Sequence, residues 1–77
     1  MSGPIVLIKE REDGLSVRYR FGLDEGALGL LQLDKDTGDV HEMKPAPCEH
    51  PQDVFFPAAV KVREHWRAGA FPDRSQT

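Results

Sequence analysis

The chain alternates apolar and polar residues in its first half and changes to a helical period in its last third. From Leu15 to Phe21, apolar residues occupy every second position, which is the period of a β-strand with one buried face. From Asp53 to Gly69, apolar residues recur at the three- and four-residue spacings of an amphipathic helix. The pattern therefore predicts β-strands followed by one C-terminal α-helix.

The strands are expected to pair as two successive hairpins, at about residues 4–12, 15–22, 29–34 and 39–44. The first hairpin turns at Asp13-Gly14, a dipeptide typical of tight two-residue turns. With a two-residue turn Ile8 lies opposite Tyr19, whereas a three-residue turn would shift the faces of one strand. The two-residue register also places Lys9 opposite Arg18, and this like-charge pair is mildly destabilising.

The second hairpin is predicted from the residues of its loop. The loop from Asp34 to Asp39 offers an aspartate whose carboxylate can accept hydrogen bonds from loop amides, and Gly38 can take a positive φ. Leu33 then lies opposite Val40. Together these elements predict an α+β fold, a four-stranded antiparallel β-meander with one C-terminal α-helix packed across one face.

The helix is expected at about residues 54–69, with residues 70–77 as a loose tail. Its start has two candidates: Asp53 as the N-cap, or Pro57 as the first helical residue. We favour Pro57, because the residue before a proline avoids the helical conformation. Gly69 is expected to cap the C-terminus. The apolar stripe, which we expect to meet Tyr19 and Phe21 in the core, comprises Phe55, Ala58, Ala59, Val62 and Trp66.

Composition narrows the kind of protein. The 77 residues fit a single domain, and 39% hydrophobic with 30% charged residues is ordinary for a folded chain. The net charge of −3 argues against a general binder of nucleic acids or anionic membranes. The single cysteine rules out an internal disulfide, and the apolar stretch near the start is too short for a signal peptide or a membrane span. We therefore expect a cytoplasmic protein without a membrane partner.

His41, Cys48 and His50 are the candidates for a metal-binding or thiol-dependent site. Cysteine and histidine are zinc ligands, but the spacing matches none of the usual zinc patterns. Cys48 could instead be a nucleophile with a histidine as base, which requires a pocket and a third orienting group. The loop that begins at Asp34 lacks the glutamate of a calcium-binding EF-hand. We expect no metal, no cofactor and no catalytic residue.

Association is the remaining class of function. The run from Ile5 to Ile8 is apolar throughout, and a single helix covers only one face of a sheet. Either the pair Ile5 and Leu7 or the pair Val6 and Ile8 then stays exposed, and exposed apolar residues on an edge strand favour pairing with another chain. Alternatively, this strand lies inside the sheet, or the segment Phe71-Pro72 folds over it.

The outer face of the first hairpin is also expected to be basic, which allows weak nucleic-acid binding as a second alternative; its cations are Lys9, Arg11, Arg18 and Arg20. No aromatic residue is interleaved with these cations, as a platform for single strands would require. We expect a non-catalytic protein-interaction module, either a homodimer or a partner-binding domain of the size and charge of small adaptors and immunity proteins. The expected interaction residues are Ile5, Leu7, Lys9, Arg18 and Arg20.

Overall fold

The computed structural model describes residues 4–77, which form an antiparallel sheet with one helix packed on one side. The sheet has five strands in the order β4-β3-β2-β1-β5. The predicted α+β class, the antiparallel sheet and the helix that follows its first four strands are confirmed, whereas the strand number of four is wrong. The elements are β1 Val6–Glu12, β2 Ser16–Gly22, β3 Gly29–Asp34, β4 Val40–Lys44, α1 Pro51–Ala68 and β5 Arg74–Gln76.

The C-terminal residues include the fifth strand, where the sequence pattern indicated a loose tail. β5 runs antiparallel to β1, with Ser75 opposite Leu7. Thr77 N–H donates to the Ile5 carbonyl oxygen at 3.0 Å, and Ile5 N–H donates to Thr77 Oγ1 at 3.0 Å. β1 therefore lies inside the sheet, which was the alternative to an exposed edge strand.

The hairpin of β1 and β2 has a different register from that of a simple two-residue turn. Leu7 lies opposite Phe21 and Lys9 lies opposite Tyr19, so the predicted pairing of Ile8 with Tyr19 is wrong. The difference of one position exchanges the two faces of β1, because successive side chains of a strand point to opposite sides. Leu7 is consequently in the core and fully buried, and Ile8 lies on the other face.

An irregularity in β1 accounts for the remaining mismatch in this hairpin. The register shifts between Lys9 and Arg11, which is a β-bulge, and Arg18 then lies opposite Arg11 rather than Lys9. Across the turn, Asp13 N–H donates to the Ser16 carbonyl oxygen at 3.0 Å. The like-charge pair that was expected between Lys9 and Arg18 is therefore formed by Arg11 and Arg18 instead.

The hairpin of β3 and β4 follows its local sequence. Leu33 lies opposite Val40, as predicted. Gly38 has a φ of 79°, and the Asp34 carboxylate accepts the N–H of Asp36 at 2.9 Å. Turn chemistry within six residues is enough to fix this loop.

The helix begins at Pro51, so the predicted start at Pro57 is wrong and Pro57 lies inside the helix. Pro51 occupies the first turn, where a missing N–H removes no helical hydrogen bond. The earlier start places Val54, which is 4% exposed, against the sheet. Gly69 caps the C-terminus as predicted, with a φ of 76° and its N–H donated to the Trp66 carbonyl oxygen at 3.1 Å.

The core lies between α1 and one face of the sheet. Phe55 packs on Phe21 with ring centroids 5.8 Å apart. Trp66 does not join this centre; it is half-buried at the margin, and its Nε1–H donates to the Lys35 carbonyl oxygen at 2.8 Å. Leu15, which the alternation placed on the buried face, is 71% exposed. The largest fully buried side chains are Leu7, Val17, Tyr19, Phe21, Leu31, Leu33 and Val62.

Candidate interaction surface

The side of the sheet opposite α1 is the candidate functional surface, and we call it the open face. The structure places a helix on one side of the sheet, and within residues 4–77 it has no second helix for the other. The residues of the open face alternate with those of the core along each strand, and in the three central strands most of them are only partly buried. Those of the central strands include Val6, Ile8, Arg18, Arg20, Leu30 and Gln32.

One row across the open face alternates cationic and aliphatic side chains. Ile8 lies opposite Arg20 on one side and opposite Arg74 on the other. Arg20 lies opposite Leu30, which in turn lies opposite Lys44. From β5 to β4 the order is therefore Arg74, Ile8, Arg20, Leu30 and Lys44, and we call these five residues the central row.

A second row adds more positive charge. Arg18 lies between Arg11 and Gln32, and its Nε–H donates to Gln32 Oε1 at 2.7 Å. His41 continues this row on β4. Half of the chain's ten lysine and arginine residues belong to the two rows, although the net charge of the protein is −3. The open face is thus the basic side of an acidic protein.

Two glutamates partly balance the cations of the central row. Arg20 Nε lies 2.8 Å from Glu10 Oε2, and Arg74 Nη2 lies 3.1 Å from Glu25 Oε2. The side chains of Arg20 and Arg74 remain 56% and 60% exposed. A guanidinium group carries five N–H donors, so one carboxylate contact leaves donors that a bound partner can use.

Shallow grooves run along this surface. One groove of about 430 Å³ lies over the central row, and a second of about 410 Å³ lies towards β5. Both are lined by Glu25, which shows that they are neighbours. The first is lined by Arg20, Leu28, Leu30 and Lys44 among others, and the second by Val6, Arg74 and Gln76.

The structure separates the five residues that the sequence indicated for interaction. Ile5 and Leu7 are 3% and 0% exposed, so the expectation that this pair remains accessible is wrong. The alternative pair, Val6 and Ile8, is only partly buried. The exchange follows from the one-position shift in register. Arg18 and Arg20 lie on the open face.

Lys9 belongs to the other side of the sheet. Its Nζ donates to Glu12 at 2.8 Å and to the Phe71 carbonyl oxygen at 3.0 Å. The hydrogen bond to Glu12 raises the pKa of Lys9. Glu12 also accepts from Lys35 at 2.9 Å, and the bonds from Lys35 and Lys9 lower the pKa of Glu12. This cluster joins the two hairpin loops to the C-terminal segment.

Sequence reasoning missed three residues of the central row. Leu30 could have been found, because Leu31 and Leu33 occupy the core face and Leu30 must then point the other way. Lys44 gave no signal beyond its position near the end of a strand. Arg74 could not be assigned while its segment was taken as a tail.

The residues considered for metal or thiol chemistry do not form a ligand set. His41 lies on β4, whereas Cys48 and His50 line a small pocket of about 190 Å³ between β2 and the start of α1. Within residues 4–77, no group of three or more histidine, cysteine or acidic side chains is arranged to hold a metal ion. His65 is used elsewhere: its Nε2 lies 2.9 Å from Ser75 Oγ, and burial lowers its pKa.

Comparisons with known proteins add no assignment. The chain matches no protein-family model, no curated protein and no solved structure. In the part of the chain that the structure describes, α1 is not long and apolar enough to cross a membrane.

Proposed function

We propose that this protein is a non-catalytic protein-interaction module that binds its partner on the open face. The observation that supports the proposal is the central row, in which Ile8 and Leu30 lie partly exposed between three cations. Apolar side chains flanked by charged ones are typical of binding surfaces, because apolar burial supplies affinity and charges supply orientation. A cytoplasmic location belongs to the same proposal and is supported by the free, exposed thiol of Cys48.

The dimensions of the open face favour a reversible complex over an obligate one. Five strands spaced about 4.8 Å apart, with about six residues each, give a face on the order of 500 Å². Stable interfaces bury roughly 800 Å² on each partner, and smaller ones are typical of transient complexes. We therefore propose a reversible complex with another protein, with a homodimer as the alternative.

Nucleic-acid binding is the second candidate, because five lysine and arginine residues lie in the two rows. It has weaker support for two reasons. The two rows contain no phenylalanine, tyrosine or tryptophan on which bases could stack, and His41 at their margin is their one aromatic ring. Glu10 and Glu25 pair with Arg20 and Arg74, so few cations are left to meet a nucleic-acid backbone, which carries a charge on every phosphate.

The thiol- or metal-dependent alternative rests on Cys48 and His50, which line one small pocket. His41 lies on β4 and does not line that pocket, so it does not supply the third group that this chemistry requires. The proposal therefore places binding ahead of catalysis.

The test combines molar mass with a pair of matched variants. Light scattering of the wild-type protein is expected to give the mass of a monomer. Proteins captured from an extract of the source cells are then compared between wild type, Ile8→Glu on the open face and Val60→Glu on the exposed side of α1, where Val60 is 59% exposed. A partner is accepted only after it has been purified and its Kd for all three proteins has been measured.

The proposal predicts that Ile8→Glu weakens binding at least about tenfold, because it buries a charge in the interface, whereas Val60→Glu leaves the Kd unchanged. Binding that Val60→Glu abolishes and Ile8→Glu preserves would place the partner on the helix and contradict the proposal. A wild-type dimer that Ile8→Glu converts to a folded monomer would favour the homodimer alternative on the same face.

A further inference from the structure

We infer that the partner presents an acidic amphipathic α-helix, which lies along the central row and crosses the strands of the open face. This inference rests on the proposed function and adds the chemistry and shape of the bound element. It follows from the signs of the charges, from their spacing and from the residues between them.

Charge selects an acidic partner. The central row has three cations: Arg74 on β5, Arg20 on β2 and Lys44 on β4. Lys44 forms no ion pair with another residue of the described chain. Because Glu10 and Glu25 neutralise only two of the three cations, widely spaced carboxylates of a partner can pair with Lys44 and with the remaining N–H donors of the two guanidinium groups. A second copy would instead bring one basic face against another.

Spacing selects a helix. Neighbouring strands lie about 4.8 Å apart, so cations on every second strand are separated by about 9.6 Å along the row. Residues seven apart in an α-helix are separated by about 10.5 Å and lie on the same face. Side chains midway between them, three or four residues on, meet the aliphatic positions Ile8 and Leu30. Acidic residues at every seventh position with apolar residues between them therefore match the whole row.

Other bound elements fit less well. An extended strand repeats each face at about 6.7 Å, which falls out of step with cations about 9.6 Å apart. Strand addition at the free edge of β4 is opposed by the irregular pairing of that strand, by the charges of Glu42 and Lys44, and by Pro45 at its end. The face of the sheet is therefore a better docking site than the edge of β4.

The test uses two synthetic peptides of about 20 residues and identical composition. The matched peptide carries glutamate at every seventh position and leucine midway between the glutamates. The mismatched peptide carries the same residues at five-residue intervals, which distributes them around the helix. Calorimetric titration of the full chain at low salt is expected to show the matched peptide binding at least about tenfold more tightly, with the advantage falling as salt increases.

Matched protein variants locate the binding. Arg20→Glu reverses a charge of the central row, and Arg63→Glu makes the same change at an exposed position of α1. Circular dichroism is used to check that both remain folded. We expect Arg20→Glu to weaken binding of the matched peptide at least about tenfold, because it sets like charges against each other, and Arg63→Glu to change it less than about twofold.

Equal affinity for the two peptides, or no binding of either, would overturn the inference of a helix. The proposed function would survive that result if Ile8→Glu still abolished binding of the purified natural partner, so the two failures can be told apart. Tighter binding of a single-stranded oligonucleotide than of the matched peptide, lost on Arg20→Glu, would overturn the inference in favour of nucleic acid.

Discussion

The two faces of the same sheet differ in what their residues do. On the side of α1, which we call the covered face, side chains such as Tyr19, Phe21 and Leu31 are fully buried. On the open face their immediate neighbours Arg20 and Leu30 remain partly or largely accessible. Stability thus depends on one set of alternate residues and the proposed function on the other. Because neighbouring residues of a strand lie on opposite faces, the same substitution at adjacent positions should have different effects.

The largest expected difference is between Leu7→Lys and Ile8→Lys. Leu7 is fully buried on the covered face, and an unpaired lysine there should lower the free energy of unfolding by about 3–5 kcal/mol or more. A domain of this size has roughly that much in total, so Leu7→Lys should be unfolded at room temperature. Ile8→Lys should remain folded and lose about 1 kcal/mol or less. Urea denaturation followed by circular dichroism measures both, and equal loss would contradict the assignment of the faces.

Next in size is Gly38→Ala at the margin of the covered face. Gly38 has a φ of 79°, and an added Cβ would lie 2.5 Å from the Trp66 ring. The backbone strain and the clash together should lower the free energy of unfolding by about 2–4 kcal/mol. Gly14→Ala is the matched control, since a Cβ at Gly14 meets no atom within 4 Å, and thermal melting should separate the two variants clearly.

A smaller effect is expected at Tyr19, and it depends on pH. Its hydroxyl donates to the Pro72 carbonyl oxygen at 2.6 Å, and burial raises the pKa of Tyr19 from 10.0 to about 12. The folded state therefore holds this proton more tightly than the unfolded state, so the contribution of the Tyr19 hydroxyl to stability is fully present below pH 10 and is lost as the pH rises towards 12. Denaturation at several alkaline pH values should show a smaller decline for Tyr19→Phe than for wild type; parallel curves would contradict this role.

The smallest effect concerns the link between α1 and β5. Burial lowers the pKa of His65, which lies 2.9 Å from Ser75 Oγ. The unfolded state then binds a proton more readily than the folded state. The contribution of neutral His65 to stability is therefore fully present above pH about 6.5 and is lost as the pH drops below it. We expect His65→Gln to flatten the fall in stability between about pH 6.5 and pH 5. An unchanged slope would show that other groups control it.

The parts of the fold that were predictable from sequence are those fixed by local chemistry. The β3–β4 loop follows from Asp34 and Gly38, whose hydrogen bonding and backbone conformation act within the loop itself. The helix end follows from Gly69 for the same reason. The buried residues of β2 follow from alternation, which requires only that one face be covered.

The parts that were not predictable depend on distant contacts. β5 has the sequence Arg-Ser-Gln, which carries no strand pattern of its own and is ordered by pairing with β1. The bulge after Lys9 accompanies side-chain contacts to Glu12 and Phe71, and no local motif announces it. The open face could only be partly predicted, because Arg74 enters it through β5.

Binding on the open face is tested most directly through the methyl groups of the bound protein. The 13C-methyl resonances of Ile8, Leu30 and Val60 are recorded as the matched acidic peptide or the purified partner is added to the full chain. If the open face is the binding surface, the resonances of Ile8 and Leu30 shift with saturation while that of Val60 stays in place. Shifts confined to Val60, with Ile8 and Leu30 unaffected, would place the binding surface on α1 and contradict binding on the open face.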